Sequence, residues 1–283
     1  MKTLSLWGGK TLWEGHHLRR LRGKGGFGQV WEAVTATGEP VAMKFLRCDD
    51  AVSSPKELRN ILAIRQLNHP NLLRTERVWS GQGYLVVSME LADGSLADLL
   101  EVSRAERGNG LPMDIVCHYL TKAARALDFL NARQHQLSGL TVGFQHCDVK
   151  PGNLLIVGDS LKLGDFGLVT KIAAPVVAHY RAGTTAYAAP EVFEGRLSDW
   201  TDQFALAVTY CELRSGRLPF PRSPSRFGRS YFRPEADLSI LSGGEIPVIR
   251  RALARVPQDR WRTCGEMMTQ LVAILDQEPG YQG

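Results

Sequence analysis

Between positions 146 and 165 the chain gathers the side chains best able to do chemistry. His146-Cys147-Asp148-Val149-Lys150-Pro151-Gly152-Asn153 sets a carboxylate, an ammonium and an amide within six residues, and Asp165-Phe166-Gly167 adds a second carboxylate on the next turn of chain. Those groups suit phosphoryl transfer, which asks a protein for little covalent chemistry: one group orients the attacking hydroxyl, others hold metal, and positive charge accompanies the moving phosphoryl. On this reading Asp148 orients the hydroxyl, Lys150 neutralises the phosphoryl, and Asn153 with Asp165 holds magnesium. Neighbouring elements must position them. Val149 and the apolar run Leu154-Leu155-Ile156 place the first cluster on a hairpin between two short strands, and Ser160-Leu161-Lys162-Leu163 is the strand that leads into Asp165.

The two clusters, in this order and at this separation, resemble the catalytic and metal-binding loops of protein kinases, H-R-D-x-x-x-x-N and D-F-G. A lone D-F-G is a common turn; the pair is specific. The resemblance covers residues 17 to 277 and implies an α+β bilobal fold: a small antiparallel-sheet lobe with one helix, a larger mainly helical lobe, and ATP with Mg2+ in the cleft between. It divides the chain into a lead-in at 1–16, a small lobe at 17–91, a large lobe at 92–277 and a tail at 278–283.

Composition is that of an ordinary globular protein, 283 residues with 44% hydrophobic and 22% charged side chains. No run of eighteen apolar residues exists and the N-terminal stretch is too short for a secretory leader, so the expectation is no membrane span and a cytoplasmic address. The five cysteines, at 48, 117, 147, 211 and 264, are scattered without C-x-x-C, and the seven histidines show no H-x-x-x-H, which indicates neither a disulfide framework nor a zinc site. A net charge of +5 suits an anionic ligand but is spread along the chain, so no nucleic-acid partner is expected.

Leu18 to Val34 read as two strands flanking Gly23-Lys24-Gly25-Gly26-Phe27-Gly28-Gln29-Val30, with glycines at 23, 25 and 28 that let backbone amides approach phosphate oxygens. The chain returns into a strand rather than opening a helix, which separates a phosphate-covering hairpin from a dinucleotide-binding turn. A plain glycine-rich hairpin is the competing reading. Val41-Ala42-Met43-Lys44 follows on the next strand, where a lysine among apolar neighbours is costly unless its charge is met. The resemblance gives Lys44 the α- and β-phosphates and a helix-borne glutamate. Here the chain departs from the pattern, because counting back from His69 lands on Asn60, one turn after Glu57. Either Glu57 pairs with Lys44 on a shifted helix, which is favoured because Asn60 carries no charge, or Glu57 caps the helix and the helix must move before catalysis. By resemblance Val30 and Ala42 roof the adenine with Leu155 beneath it, Met89 controls access behind it, the backbone of Glu90 and Leu91 meets its edge, and Asp93 or Ser95 meets the ribose.

Further along, Asp98 to Glu101 read as a short helix, Ser103 to Leu111 as a polar loop, Asp114 to Gln134 as a long core helix, and His135 to Gln145 as a longer link than the family's, without chemistry. Gly183-Thr184-Thr185-Ala186-Tyr187-Ala188-Ala189-Pro190-Glu191 matches the serine/threonine form G-T-x-x-Y-x-A-P-E, in which Thr184 bonds to Asp148 and Lys150 and shapes the peptide groove. Cys147 stands where the family has the arginine that collects a phosphate on this segment, and Lys171 to Gly183 contains no Ser or Thr and only Tyr180 as a hydroxyl. Activity independent of phosphorylation there is therefore expected. Asp202 to Arg214 read as a buried helix whose Asp202 holds the catalytic loop or caps its own helix, and Arg260 matches the partner of Glu191. Arg217, Arg222, Arg226, Arg229 and Arg233, with aromatics between them, read as a solvated loop ahead of a docking site for an acidic partner.

The reading these features favour is a eukaryotic-like serine/threonine protein kinase acting on a protein hydroxyl, closer to bacterial than to animal forms. A nucleotide-binding scaffold, prompted by Cys147 and the displaced Glu57, and a kinase-like small-molecule phosphotransferase are the alternatives. The chain is compatible with a whole small kinase or a domain of something longer, and its oligomeric state is open.

Overall fold

The computed structural model describes residues 6–25, 28–47, 53–81, 83–137, 139–174, 176–178, 183–220, 225–227 and 230–276, without the side chains at 13, 53–57, 178, 225–227 and 230–232. Two compact units emerge, one from residues up to Asn68 together with Leu72–Asp93, the other from His69–Asn71 and the chain from Gly94 onward. Among the described residues no helix is long and apolar enough to cross a membrane.

The first unit is an antiparallel sheet of β1 (His17–Gly25), β2 (Gly28–Val34), β3 (Pro40–Arg47), β4 (Thr75–Gly81) and β5 (Tyr84–Glu90) in the order β1-β2-β3-β5-β4, with helix α1 (Ser53–Arg65) inserted after β3. Strand alternation sorts its side chains. Trp31, Ala33, Val41, Met43, Phe45 and Val86 form one face, on which Leu6 and Leu12 of the lead-in pack. Leu46, Leu85 and Val87 form the other and meet Ile61 of α1. The register pairs Val30 with Lys44, Lys44 with Val87 and Ala42 with Met89, so Val30, Ala42, Lys44 and Met89 share the face that α1 covers. The turn between β1 and β2 is closed by Gly25 opposite Gly28. Gly28 has φ 138°, and a Cβ there would stand 1.9 Å from the carbonyl oxygen of Phe45, so only glycine fits.

The second unit opens with β6 (Gly94–Ser95) and α2 (Leu96–Arg107). Ser95 and Asp98 form a reciprocal capping box, and Gly108 ends the helix in the left-handed conformation at φ 71°. The polar stretch after Ser103, expected as a loop, is thus mostly helix; its residues are good helix formers with an exposed outer face, and the stop signal is Gly108. The long helix α3 (Met113–Asn131) buries Val116, Leu120, Ala123, Ala124, Leu127 and Leu130, as its spacing predicts. The link that follows is a hairpin, β7 (His135–Leu137) with β8 (Leu140–Gln145). After it come β9 (Leu154–Val157), β10 (Ser160–Leu163), β11 (Thr170–Ile172), β12 (Val176–Ala178), α4 (Pro190–Phe193) and β13 (Arg196–Ser198). β9 pairs with β10 and β6, whereas β8 pairs with β7 and β11. The catalytic stretch therefore is not a hairpin, as its flanking apolar runs suggested, but a bridge between strands of two different sheets.

Helix α5 (Thr201–Ser215) is buried nearly all round. β14 (Ser225–Phe227) pairs with β15 (Ser230–Phe232), and α6 (Glu245–Ala252) and α7 (Cys264–Leu275) complete the unit, α7 packed along α3. A fully buried cation is Arg260, whose Nη1 and Nη2 donate to Glu191 Oε1 and Oε2 at 2.8 Å each while Ser198 and Thr201 hydroxyls donate to the same carboxylate at 3.0 Å. Removing one partner of such a pair strands a charge in low dielectric, so Arg260→Met should cost about 3–5 kcal/mol in denaturant unfolding at neutral pH. Burial works to raise the pKa of Glu191, but Arg260, with a backbone N–H and the Ser198 hydroxyl, holds it below its usual 4.5. A depressed carboxylate contributes its stability above the unfolded pKa and loses it as pH falls through the folded one, so the gap between wild type and variant should shrink in acid.

Candidate active site

The bridge from Gln145 to Asn153 is fixed from below by α5. Asp202, fully buried, accepts the backbone N–H of His146 at 2.5 Å and of Cys147 at 2.9 Å. Burial pushes its pKa up, against the pull of His146 and these donors. The α5 N-cap is Trp200, so Asp202 serves the loop and not its own helix end. The buried ring of His146 bonds through Nε2 to the Gly164 carbonyl at 2.9 Å and stacks edge-on against Phe166 at 5.7 Å, which ties the loop to the strand end before Asp165. Cys147 is held left-handed at φ 68°. Asp165 is left-handed as well, at φ 63°, a conformation that aspartate tolerates better than most side chains.

Asp148 is the best-satisfied carboxylate of the loop. Oδ1 accepts the backbone N–H of Thr184 at 2.9 Å and its hydroxyl at 2.8 Å; Oδ2 accepts Lys150 Nζ at 2.7 Å and Asn153 Nδ2 at 3.0 Å. Lys150 also donates to Thr184 Oγ1 at 2.8 Å. Burial would raise the pKa of Asp148, yet Lys150 and Thr184 carry it below the usual 3.8, so it is ionised at neutral pH. The approach of the 183–184 segment needs a glycine: Gly183 has φ 99°, and a Cβ would meet the Cys147 carbonyl oxygen at 2.4 Å. Asp148, Lys150, Asn153 and Thr184 are thus brought together as the sequence suggested. Because Asn153 commits its amide nitrogen to the carbonyl and carboxylate of Asp148, its amide oxygen is the atom able to take a cation. An amide oxygen there and the carboxylate of Asp165 are the hard donors that magnesium takes.

Leu155 lies on β9 opposite Ser95, whose hydroxyl donates to Asp98 at 2.7 Å and so is spent on the α2 cap rather than offered to a ribose. In the first unit Gly23 has nothing among the described residues within 4 Å of where a Cβ would stand. Lys44 shares its sheet face with Val30, Ala42 and Met89. Glu90 turns its carboxylate to the backbone N–H of Arg74 at 2.6 Å, and Arg22 donates to the carbonyls of Ala92 and Asp93 at 3.2 and 2.9 Å, pinning the stretch that carries Leu91. Glu57 lies on α1, but its side chain is outside the described residues, as are Gly26, Phe27 and Tyr180.

Residues 16–269 match the family described as the protein kinase domain. The chain belongs to that family. Among the kinases it resembles are CBL-interacting protein kinase 4 of Oryza sativa, 34% identical over 226 residues that make up 76% of this chain and 47% of that one. Serine/threonine-protein kinase PknF of Mycobacterium tuberculosis is 30% identical over 270 residues, 88% of this chain and 54% of PknF. PknA of the same species is 35% identical over 228 residues, 75% and 49% of the two chains. This kinase domain therefore spans about half the length of the curated relatives it matches.

Two residues important to the kinase site had not stood out. Gln145, 1% exposed, accepts the backbone N–H of Asp202 at 3.0 Å and donates to Asn131 at 2.9 Å, so it fixes the start of α5 beneath the loop. Its only signal was an amide placed directly before the His146-Cys147-Asp148 cluster. Arg233, assigned to a solvated basic run, is part-buried and donates to the carbonyls of Thr185 and Ala186. The remaining members of that run at 222 and 229, and the side chain at 226, lie outside the described residues.

The hydroxyl of Thr184 is one of four donors that stabilise ionised Asp148. A bond to a charged group contributes about 1.5–3 kcal/mol, so Thr184→Val should lift the Asp148 titration measurably. Carbon-13 NMR of labelled aspartate reads this directly: a midpoint below 3.8 in wild type that rises in the variant fits, and an unmoved midpoint means that the hydroxyl contributes nothing.

Proposed function

We propose that this chain is an ATP-dependent serine/threonine protein kinase that passes the γ-phosphoryl of ATP to a protein hydroxyl. The observation that carries the reading is the joint grip of Lys150, Asn153 and Thr184 on the carboxylate of Asp148. It joins the group that would take the proton to the segment that would carry the acceptor peptide. The acceptor oxygen attacks the γ-phosphorus, the bond to the departing ADP breaks, and the hydroxyl proton passes to Asp148. Lys150, 2.7 Å from that carboxylate, keeps it ionised beforehand and stands beside the moving charge. Lys44 and the backbone of Gly23, Gly25 and Gly28 would hold the phosphates. Asn153 and Asp165 would hold magnesium, which neutralises the phosphates when bound. Val30, Ala42, Met89, Leu155 and the backbone of Glu90 to Asp93 would take the nucleoside, with Glu57 the intended partner of Lys44. A cytoplasmic address and the division at 1–16, 17–91, 92–277 and 278–283 belong to the same proposal.

We further propose that activation-segment phosphorylation is not required. Cys147 offers no cation to collect a phosphate, and two backbone ladders already hold the segment, β11 on β8 and β12 on β13.

Labelled ATP, magnesium and a mixed histone preparation test the first claim. Transfer by wild type and its loss in Asp165→Ala is the expected result; nucleotide bound but never transferred would favour a scaffold, and label on a small metabolite alone a different phosphotransferase. For the second, enzyme treated with phosphatase should match untreated enzyme in rate, and an obligatory phosphosite would end the claim.

A further inference from the structure

We infer that Arg233 is a positioning residue of the substrate-binding segment, holding Thr184 to Tyr187 in place from behind through its carbonyl groups. The inference rests on the kinase reading above. Arg233 follows β15, and its Nη2 donates to the Thr185 carbonyl at 2.7 Å and its Nη1 to the Ala186 carbonyl at 3.1 Å. The guanidinium carbon lies 4.3 Å from the ring centre of Phe220 and 5.6 Å from those of Phe193 and Phe204, so one cation touches α4, α5 and the turn after α5.

The environment is unusual for a charge. Among the described residues no carboxylate pairs with Arg233, and its Nε is buried without an acceptor. Burial draws its pKa down to about 10, which still leaves it protonated at neutral pH. A cation removed from water without a counter-ion is costly, and an apolar side chain of similar length would fill the aromatic cage at lower cost. What an apolar side chain cannot supply is the planar fork that reaches two successive carbonyls at once, and an ammonium reaches them less well.

The consequence lies in the segment that it grips. Thr184 is tied forward to Asp148 and Lys150, the next two carbonyls are tied back to Arg233, and the Tyr187 hydroxyl donates to Glu212 of α5 at 2.5 Å. Four consecutive residues are therefore fixed from three sides. Of these anchors only Arg233 brings a cation to the backbone from behind. In kinases that carry arginine at the position of Cys147, a cation reaches this region through a phosphate; here a cation binds the backbone directly.

The test compares Arg233→Met, Arg233→Lys and wild type for KM toward mixed histones, KM toward Mg-ATP and melting temperature. The expected result is a rise of about tenfold or more in the histone KM of Arg233→Met, a change of under about twofold in the ATP KM, and partial recovery in Arg233→Lys. An unchanged histone KM in either folded variant would overturn the inference. So would a parallel rise of both KM values with a lowered melting temperature, since that marks a general structural role. If wild type transfers no phosphate, the kinase reading fails separately, and amide hydrogen exchange at Thr184 to Tyr187 decides: faster exchange in the variants supports positioning, and equal exchange refutes it.

Discussion

One buried carboxylate sets the shape of the catalytic stretch. Asp202 takes two successive backbone N–H groups, those of His146 and Cys147, and two neighbouring amides converge on one acceptor only if the chain curls around it. That curl is why Cys147 sits at φ 68°, a conformation that costs a non-glycine residue roughly 1–2 kcal/mol. With the chain turned there, the side chain of Asp148 meets Thr184, Lys150 and Asn153. Gln145 and Asn131 extend the same constraint sideways, since the amide of Gln145 fixes the first turn of α5 from which Asp202 projects.

Three carboxylates of the second unit are closed into pairs around this curl. Glu191 is met by Arg260, Glu245 by Arg214 with the hydroxyls of Tyr210 and Ser242, and Asp199 by Arg133. Each is a structural pair with its acceptor sites filled by fixed donors. Around Asp148 two of the donors, Lys150 and Thr184, are themselves bonded together, as Ser198 and Thr201 are around Glu191. A network of that kind holds geometry better than separate pairs, since moving any member breaks more than one bond.

Much of this was legible in the order of residues. Glycine spacing, the buried-strand lysine, the H-x-D and D-F-G clusters and the 3.6-residue period of α3 and α5 are local patterns, and local patterns determine local structure. What escaped were long-range partnerships. The strands β7 and β8 are too short and too mixed in polarity for alternation to show, so their hairpin read as an idle link. The stretch around Asp148 looked like a hairpin because Val149 and the apolar run at 154–156 are neighbours in sequence, whereas the strands that flank it, β8 and β9, do not pair with each other. Ser103 to Arg107 looked like a loop because its exposed face is polar, although helix propensity and the glycine stop said otherwise. Arg233 could not be told from its neighbours by charge, since only the fold brings Phe193, Phe204 and Phe220 around it.

The exchange of arginine for cysteine at 147 then has a physical meaning beyond a lost charge. An arginine preceding Asp148 would need an anion or carbonyl acceptors nearby, because an unmet cation at a half-buried site is costly. A neutral side chain carries no such demand, and the Cys147 Sγ makes a weak contact with the Gln145 carbonyl at 3.4 Å. The load of holding the segment therefore falls on contacts that are always present: the β11–β8 and β12–β13 ladders, Gly183 packed on the Cys147 carbonyl, and the bond from Tyr187 to α5. Backbone ladders respond to neither phosphatase nor kinase. Ladders of that kind are a permanent backbone tether rather than a switchable electrostatic one, and it is on this difference that the proposal of phosphate independence rests.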